Sequence, residues 1–233
     1  MNIIITGGTK GIGLAIAHTF AKAGFDLATC SRNEGDLDDF KKTFASAYPG
    51  IRILTRQTDM SKKEEVMAFA DFIKDEWGTL DVLVNNAGVY LPGEIHNEED
   101  GKLESMIETN LYSAYYLTRA LLPQMLPYKK GHIFNMCSVA SILAYPNGGS
   151  YSISKFALLG FSKVLREEMK DKGIKVTSIL PGVTWSNAWA GVDLPTERLI
   201  QADDIAIAVM SASKMSPAAV VEEIIIRPQL GDL

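Results

Sequence analysis

The stretch TGGTKGIG, from Thr6 to Gly13, follows a strand-like apolar run and precedes an amphipathic run with helical spacing. Glycines at a strand-to-helix turn let backbone amides and the helix N-terminus approach a pyrophosphate closely. A tight turn without any ligand would also account for Gly7 and Gly8. The position between strand and helix favours a dinucleotide site, with candidate contacts at Gly7, Thr9, Lys10, Gly11, Ile12 and Gly13.

Short β-branched runs alternate with amphipathic stretches along the chain, an order typical of parallel βαβ units. The strand candidates are mostly continuous apolar runs, as a sheet that is buried on both faces requires. We therefore expect an α/β fold, with a Rossmann-type doubly wound parallel sheet of about seven strands and helices on both faces. The strands are predicted at Asn2 to Thr6, Leu27 to Cys30, Ile51 to Thr55, Val82 to Asn85, Ile133 to Met136, Ile174 to Leu180 and Glu222 to Arg227.

Helical periodicity predicts the segments between the strands. Apolar residues from Ile12 to Ala23 share one helical face, and the pattern stops at Gly24, a natural C-terminal cap. A second helix is predicted to open on a capping box formed by Ser61 and Glu64. Longer helices are predicted from Glu98 to Met125, with a break near Asn110, and from Ser150 to Lys172.

Length and composition indicate a globular protein. A chain of 233 residues, 47% hydrophobic and 22% charged, suits one α/β domain over residues 1–233 and excludes a disordered or fibrous protein. The net charge of −5 provides no overall basic field for nucleic acid or an anionic membrane. Neither a membrane span nor room for a signal peptide before the glycine motif is found, so we expect a cytoplasmic protein.

Two further features complete the general expectations. Cys30 and Cys137 fall inside predicted buried strands, where a thiol behaves as a small hydrophobe, so no disulfide framework is expected. The irregular stretch 184–201 follows a strand end and contains Trp185 and Trp189, which predicts a substrate loop. No metal site is predicted.

The residues after the second predicted strand bear on the choice of cofactor. In dinucleotide-binding folds, a carboxylate about 20 residues beyond the glycines binds the ribose 2′-hydroxyl. This chain has Ser31 and Arg32 there, and Lys10 in the glycine loop could reach the same group. These side chains form a local anion site suited to a 2′-phosphate, unless both cations are ordinary solvated side chains. We therefore predict NADP(H) rather than NAD(H).

Tyr151 and Lys155 stand four residues apart, which places a phenol and an ammonium group on one face of a helix. A nearby cation stabilises a phenolate, so the pair is a candidate proton donor and acceptor. Taken alone, the short pattern YxxxK more often marks a packed tyrosine beside a surface cation.

Over nearly its whole length the chain resembles the short-chain dehydrogenase/reductase family, in its shorter single-domain branch. The resemblance rests on five motifs in the family's order and spacing, which jointly are highly specific. They are TGGTKGIG at Thr6 to Gly13, NNAG at Asn85 to Gly88, Asn110, Ser138 followed by Tyr151 and Lys155, and the turn at Pro181 and Gly182.

This resemblance implies a catalytic tetrad of Asn110, Ser138, Tyr151 and Lys155. In that tetrad Tyr151 is the general acid and base, and Lys155 contacts the cofactor ribose. Ser138 donates to the substrate carbonyl oxygen, and Asn110 holds a proton-relay water. Individually, Ser138 could be a strand cap, Asn110 a helix-kink residue and NNAG an ordinary turn.

The same resemblance implies further cofactor contacts. Asp59, with Met60 beside it, corresponds to the family's adenine contact, although Asp59 could also serve only the local structure before Ser61. The family tends to place a threonine four residues beyond the glycine of the turn, where this chain has Ser186. The implied contacts are Asp59, Met60, Asn86, Ala87, Gly88, Tyr151, Lys155, Pro181, Gly182, Thr184 and Ser186.

The predicted function is the NADP(H)-dependent reduction of a small-molecule carbonyl to an alcohol. Four aromatic residues near the motif ends, Tyr90, Tyr145, Trp185 and Trp189, could line a flat apolar pocket or serve core or subunit packing. The C-terminal stretch 220–233 resembles bacterial sepiapterin reductase-like members and lacks the ending common in 3-oxoacyl carrier-protein reductases.

A 3-oxoacyl reductase and a non-catalytic NADP(H)-sensing module are the alternative functions, although a sensing module would be expected to have a broken tetrad. By resemblance we also expect a homodimer or homotetramer. The candidate interface residues, on the long helices after the fourth and fifth strands, are Leu111, Tyr115, Leu122, Phe156 and Phe161.

Overall fold

The strand β1, Asn2–Thr6, lies inside a parallel sheet, and its last four residues are buried and β-branched. It pairs with β2, Asp26–Ser31, on one side and with β4, Val82–Asn85, on the other. The other strands are β3, Ile53–Gln57, β5, Gly131–Met136, β6, Ile174–Pro181, and β7, Glu223–Ile226. The computed structural model describes residues 1–185, 195 and 198–231, and this part of the chain forms one seven-stranded sheet in the order β3-β2-β1-β4-β5-β6-β7. The predicted Rossmann-type α/β fold is confirmed.

Helices cover both faces of this sheet. Alternate residues of a strand point to opposite faces, so Ile3 and Ile5 pack with one layer of helices and Ile4 packs with the other. The first layer consists of α1, Gly11–Lys22, α2, Glu34–Ala47, and α7, Ala202–Ser213. The second consists of α3, Lys63–Glu76, α5, Ser113–Leu121, and α6, Gly149–Met169.

The helix predicted near Ser61 exists, but its predicted capping box is wrong. The Ser61 hydroxyl donates to Asp59 Oδ1 at 2.8 Å, and the Ser61 backbone amide donates to the same oxygen at 3.0 Å. The serine is therefore engaged in a tight turn, and α3 begins two residues later without a side-chain cap. Glu65 accepts from the Asp59 amide at 2.7 Å and fixes this turn from the helix side.

The predicted break near Asn110 is a widening of the helix. Helix α4, Lys102–Ile107, continues through a π-helical segment, Glu108–Tyr112, directly into α5. Single π-helical turns of this kind are rare in proteins overall, but those that occur are often at functional sites. This helix was predicted to continue to Met125, but α5 ends at Leu121. Two 3-10 turns follow it, Leu122–Gln124 and Leu126–Tyr128, and each contains a proline.

Cys30 is buried in β2 as predicted, whereas the equally buried Cys137 lies one residue beyond the end of β5. Both are free thiols. In the described part of the chain, no helix is long and apolar enough to cross a membrane.

His132 makes the free energy of unfolding depend on pH. The residue is 5% exposed, and its ring stacks on that of Phe134 with centres 3.9 Å apart and places Nε2 2.7 Å from Thr177 Oγ1. Burial, with a smaller contribution from the Lys175 charge, lowers the pKa of His132 from 6.5 to about 3. Between these values the unfolded chain binds a proton that the folded protein does not, so the free energy of unfolding falls as pH falls from 6.5 towards 3.

We expect His132→Gln to remove this dependence. Between pH 7 and pH 4.5 the wild type should lose about 2–3 kcal/mol more free energy of unfolding than the variant does, as measured by urea unfolding at both values. His96→Gln is the matched control, because His96 is exposed. If wild type and His132→Gln lost the same free energy of unfolding, His132 would not be the source of the pH dependence.

Candidate active site

The glycine loop is held in a shape that permits little change. Gly7 has φ of +66°, a conformation that favours glycine. A Cβ on Gly13 would lie 2.5 Å from Gly7 O and 2.6 Å from Asn86 Nδ2. The N-cap of α1, Lys10, makes no side-chain capping bond, and the first turn of α1 contains no acidic residue. Its first amides are thus suited to an anionic group such as a pyrophosphate.

Thr6 joins this loop to the end of β4, a role that sequence reasoning missed. Its Oγ1 accepts from the backbone amides of Asn86 at 3.0 Å and Ala87 at 2.9 Å. In return, Asn86 Nδ2 donates to Thr6 O at 2.9 Å and to Gly7 O at 3.2 Å. The only sequence signal for this role was the place of Thr6 at the head of the glycine motif.

The residues predicted to bind the adenosine end of the cofactor lie together. Lys10, Ser31 and Arg32 line one cleft with Asp59 and Met60. Burial alone would raise the pKa of Asp59, but the hydrogen bonds from Ser61 and the charges of Arg32 and Lys62 lower it on balance. The Asp59 carboxyl group is therefore held as a carboxylate beside a cation.

Lys10 is paired within the protein. Its Nζ lies 2.6 Å from Oδ2 of Asp36, in the first turn of α2, a partner that the sequence motif did not indicate. The two cations that line the cleft, Lys10 and Arg32, thus each have a carboxylate nearby, Asp36 beside Lys10 and Asp59 beside Arg32.

Tyr151 and Lys155 both project from the start of α6, on the face predicted from their spacing. The Lys155 side chain is buried, and its Nζ lies 5.8 Å from the centre of the Tyr151 ring. Nζ donates to Met136 O, at the end of β5, at 2.7 Å. Since an ammonium group has three donors, this bond fixes Lys155 while using only one of them.

Ser138 stands where β5 gives way to a 3-10 turn, Val139–Ser141. Its Oγ accepts from the Ala140 amide at 3.1 Å, so Ser138 caps the 3-10 turn that follows, whereas the alternative interpretation had it cap the strand. The hydroxyl lies 3.4 Å from Pro181 O, a long and weak contact. It could therefore turn to a better acceptor in the cleft that it lines with Tyr151.

Asn110 lies behind the cleft and does not line either part of it. Its side chain is 1% exposed and binds the backbone of Val89 twice, accepting from N at 2.8 Å and donating to O at 3.0 Å. Nδ2 also donates to Ser154 Oγ at 2.9 Å, a contact that the sequence did not predict. Both amide hydrogens are therefore engaged. A relay water on Asn110 would have to bind its backbone or the remaining lone pair of Oδ1, and this role stays a prediction.

Two adjoining depressions cross the carboxyl ends of the strands and share Asn86, Gly88 and Val89. Ligands of open parallel sheets bind at this edge. Thr9, Gly11 and Gly13 line neither depression, and Ser186 lies outside the described residues. Within the described ranges no cluster of three acidic, His or Cys side chains could hold a metal. The second depression is lined by Ile12, Ser138, Tyr151, Lys155, Pro181, Gly182 and Thr184, together with Tyr90, Met136 and Cys137.

Aromatic side chains surround the Tyr151 end of the cleft. The Tyr90 ring meets the Tyr151 ring edge-on, with centres 4.8 Å apart. Burial, and then the neighbouring Tyr90 and Tyr151, raise the pKa of Tyr145. Trp185 is exposed, whereas Trp189 lies outside the described residues. Tyr90 and Tyr151, which line the cleft, and the neighbouring Tyr145 thus form an aromatic rim at this end of the site.

The two ends of the predicted substrate loop meet. Thr184 and Ile200 form an isolated parallel bridge, in which the Trp185 amide donates to Ile200 O at 2.8 Å and the Ile200 amide donates to Val183 O at 3.1 Å. Residues 186–194 and 196–197, between these ends, are not among those described.

Comparison with known proteins agrees with this geometry. Residues 1–194 match the sequence family described as short chain dehydrogenase. The chain is 34% identical over 239 residues to a sepiapterin reductase of Chlorobaculum tepidum, covering 99% of this chain and 97% of that protein. It is 33% identical over 202 residues to a diacetyl reductase, (S)-acetoin forming, of Staphylococcus epidermidis, covering 86% of this chain and 77% of that protein. An alcohol dehydrogenase from the archaeon Thermococcus sibiricus, complexed with 5-hydroxy-NADP, has a TM-score of 0.90 at 27% identity, over 97% of this chain and 96% of that one.

Proposed function

The chain belongs to the short-chain dehydrogenase/reductase family, and on that premise we propose that it is an NADP(H)-dependent carbonyl reductase with Tyr151 as its proton donor. The observation that carries this proposal is the buried Lys155 ammonium beside Tyr151 and Ser138, in a depression that adjoins the glycine-loop cleft. Such a grouping is suited to proton transfer at one end of a bound dinucleotide.

Each side chain has a distinct task in this reaction. NADPH, when bound, supplies the hydride that reduces the carbonyl carbon. The Tyr151 hydroxyl donates its proton to the carbonyl oxygen, and Lys155 stabilises the phenolate that remains. Ser138 turns its hydroxyl from Pro181 O to the same carbonyl oxygen and stabilises the growing negative charge.

The substrate that we propose is a small, flat carbonyl compound, and a pterin with a side-chain ketone is the leading candidate. The aromatic rim supports a planar ligand, and the Chlorobaculum tepidum relative is a sepiapterin reductase. The Staphylococcus epidermidis relative, a diacetyl reductase, favours a small diketone as second candidate. We place this activity in one domain, residues 1–233, with a substrate loop at 184–201, in a cytoplasmic protein.

A panel of sepiapterin, diacetyl and acetoacetyl thioesters, with NADPH absorbance as the readout, tests the proposal. Turnover of sepiapterin or diacetyl is the expected result. Preference for the thioesters would instead support a 3-oxoacyl reductase. Tight NADPH binding without turnover of any carbonyl would support the sensing module and refute the proposed function.

Arg32→Ala should selectively weaken the use of NADPH. We propose that Arg32, with Ser31 and Lys10, binds the 2′-phosphate, and losing one charge-assisted contact should lower kcat/KM with NADPH by roughly 10- to 100-fold. The kcat/KM with NADH should stay within about threefold, since NADH lacks that phosphate. Steady-state kinetics with both cofactors checks this, with Lys42→Ala, at an exposed position of α2, as the control. Equal losses with both cofactors would remove Arg32 from the phosphate site.

We further propose that the protein is a homodimer or homotetramer, joined through the exposed sides of α5 and α6. Of the predicted interface residues, Tyr115 and Phe156 are exposed, while Leu111, Leu122 and Phe161 are partly exposed. Exposed apolar side chains of this kind are typical of subunit interfaces. Sedimentation of wild type and Phe156→Glu is the test, since an inserted charge should dissociate the assembly.

A further inference from the structure

The segment that leads from β4 towards α4 touches the start of α6 at three places. We call residues 89–98 the clasp segment. Its first residue, Val89, is bound at both backbone atoms by Asn110. Beyond that point it contacts Tyr151 or the residues immediately before it, so its position bears directly on that of the proposed proton donor.

The last residue of the clasp segment, Glu98, makes the most specific of these contacts. Ser150, which precedes Tyr151 and is buried, donates its hydroxyl to Glu98 Oε1. The other carboxylate oxygen, Oε2, is buried and has no hydrogen-bond partner among the described residues. Cβ atoms built on Gly93 and Gly149 would each lie 3.1 Å from Oε2, so this oxygen stands between the clasp segment and the first turn of α6. A carboxylate is favourable there, because the N-terminal end of a helix carries partial positive charge.

The backbone contact in the middle of the clasp segment leaves no space for adjustment. Gly93 and Gly148 form a parallel bridge, in which the Gly93 amide donates to Asn147 O at 3.2 Å. A Cβ on Gly149 would lie only 2.4 Å from Gly93 O. The two backbone segments therefore approach as closely as glycine allows, and a change in one segment must displace the other.

The third contact reaches the proposed proton donor itself. The Tyr90 ring packs edge-on against the Tyr151 ring at 4.8 Å. A segment fixed at Val89 by Asn110 and at its far end by Glu98 thus holds one side of Tyr151, while α6 holds the other.

We propose that Glu98 is a positioning residue for carbonyl reduction: by binding Ser150 it fixes the first turn of α6 and thereby the Tyr151 hydroxyl. This inference rests on the proposed function. Glu98 need not touch substrate or cofactor, and its effect appears in the chemical step. A misplacement of about 1 Å at a reacting group can cost on the order of 100-fold in rate.

The kinetic test is a double-mutant cycle on Glu98→Ala and Ser150→Ala. Each variant should lower kcat roughly 10- to 100-fold and leave the NADPH dissociation constant within about twofold. The double variant should be no slower than the slower single one, because both remove the same bond. Glu98→Gln keeps an acceptor for Ser150 and should recover kcat to within about fivefold of wild type, and Glu99→Ala, at the exposed neighbouring position, should match wild type. Wild-type kcat in both single variants, or losses that multiply in the double variant, would overturn the proposal.

A second readout separates this inference from the proposed function. In protein labelled with ¹³C at tyrosine Cζ, the Tyr151 resonance is assigned by its loss in Tyr151→Phe. Glu98→Ala and Ser150→Ala should each shift that resonance and leave that of exposed Tyr128 in place. If the wild type reduces no carbonyl, the proposed function fails and this spectrum alone decides the inference: a shift supports the positioning of Tyr151 by Glu98, and an unchanged resonance refutes it.

Discussion

Tyr151→Phe is expected to lower kcat for carbonyl reduction by roughly 10³-fold, within the range typical of losing a general acid. The variant keeps the ring that packs against Tyr90 and loses only the hydroxyl, so the shape of the rim should not change. Lys155 stays fixed by Met136 O, and the glycine loop is untouched. Binding of NADPH should therefore stay within about threefold of wild type.

Stopped-flow measurement of NADPH oxidation, together with a fluorescence titration of NADPH, separates the two effects. Tyr128→Phe is the matched control, because Tyr128 lies in an exposed 3-10 turn and lines neither depression. A Tyr151→Phe enzyme with near wild-type kcat would remove Tyr151 from the reaction. Loss of NADPH binding in parallel with kcat would point instead to a damaged cofactor site.

Gly13→Ala should abolish productive cofactor binding, raising the NADPH dissociation constant at least roughly 100-fold, about 2.7 kcal/mol. The new methyl group would meet Gly7 O at 2.5 Å and Asn86 Nδ2 at 2.6 Å. One of these is backbone, and Asn86 is held by Thr6 O and Gly7 O, so the glycine loop itself must shift. The amides at the start of α1 would then no longer meet the pyrophosphate.

Gly78→Ala is the matched control for this substitution, since a Cβ there meets nothing within 4 Å and should leave NADPH binding unchanged. Fluorescence titration measures binding, and thermal unfolding without cofactor checks that both variants fold. If folded Gly13→Ala bound NADPH as tightly as wild type, the close packing of α1 on the loop would not matter for the cofactor.

Much of the fold could be predicted from short-range patterns. The continuous apolar runs of β1 and β4 identify strands buried on both faces, and the glycines after β1 place the turn. Tyr151 and Lys155 come together because four residues is about one helical turn, which needs no knowledge of the rest of the molecule. These features were predicted because the interaction and the sequence pattern are equally local.

The contacts that hold the site in place could not be predicted, because they join residues far apart in sequence. Thr6 and Asn86 are 80 residues apart, and Glu98 and Ser150 are 52 apart. Nothing in either local sequence marks the partner. Ser61 shows the converse problem, since a local motif for helix capping was outcompeted by the neighbouring carboxylate of Asp59.

The bridge between Thr184 and Ile200 has a consequence for engineering the proposed substrate loop. Backbone hydrogen bonds close this stretch where it starts and ends, next to β6 and α7, and they do not depend on which side chains lie between. Because the entropy of closing a loop grows only slowly with its length, doubling the intervening residues costs about 0.6 kcal/mol. Libraries that vary both length and composition between the two ends should therefore keep the fold, and they would test the proposal that this stretch sets the substrate specificity.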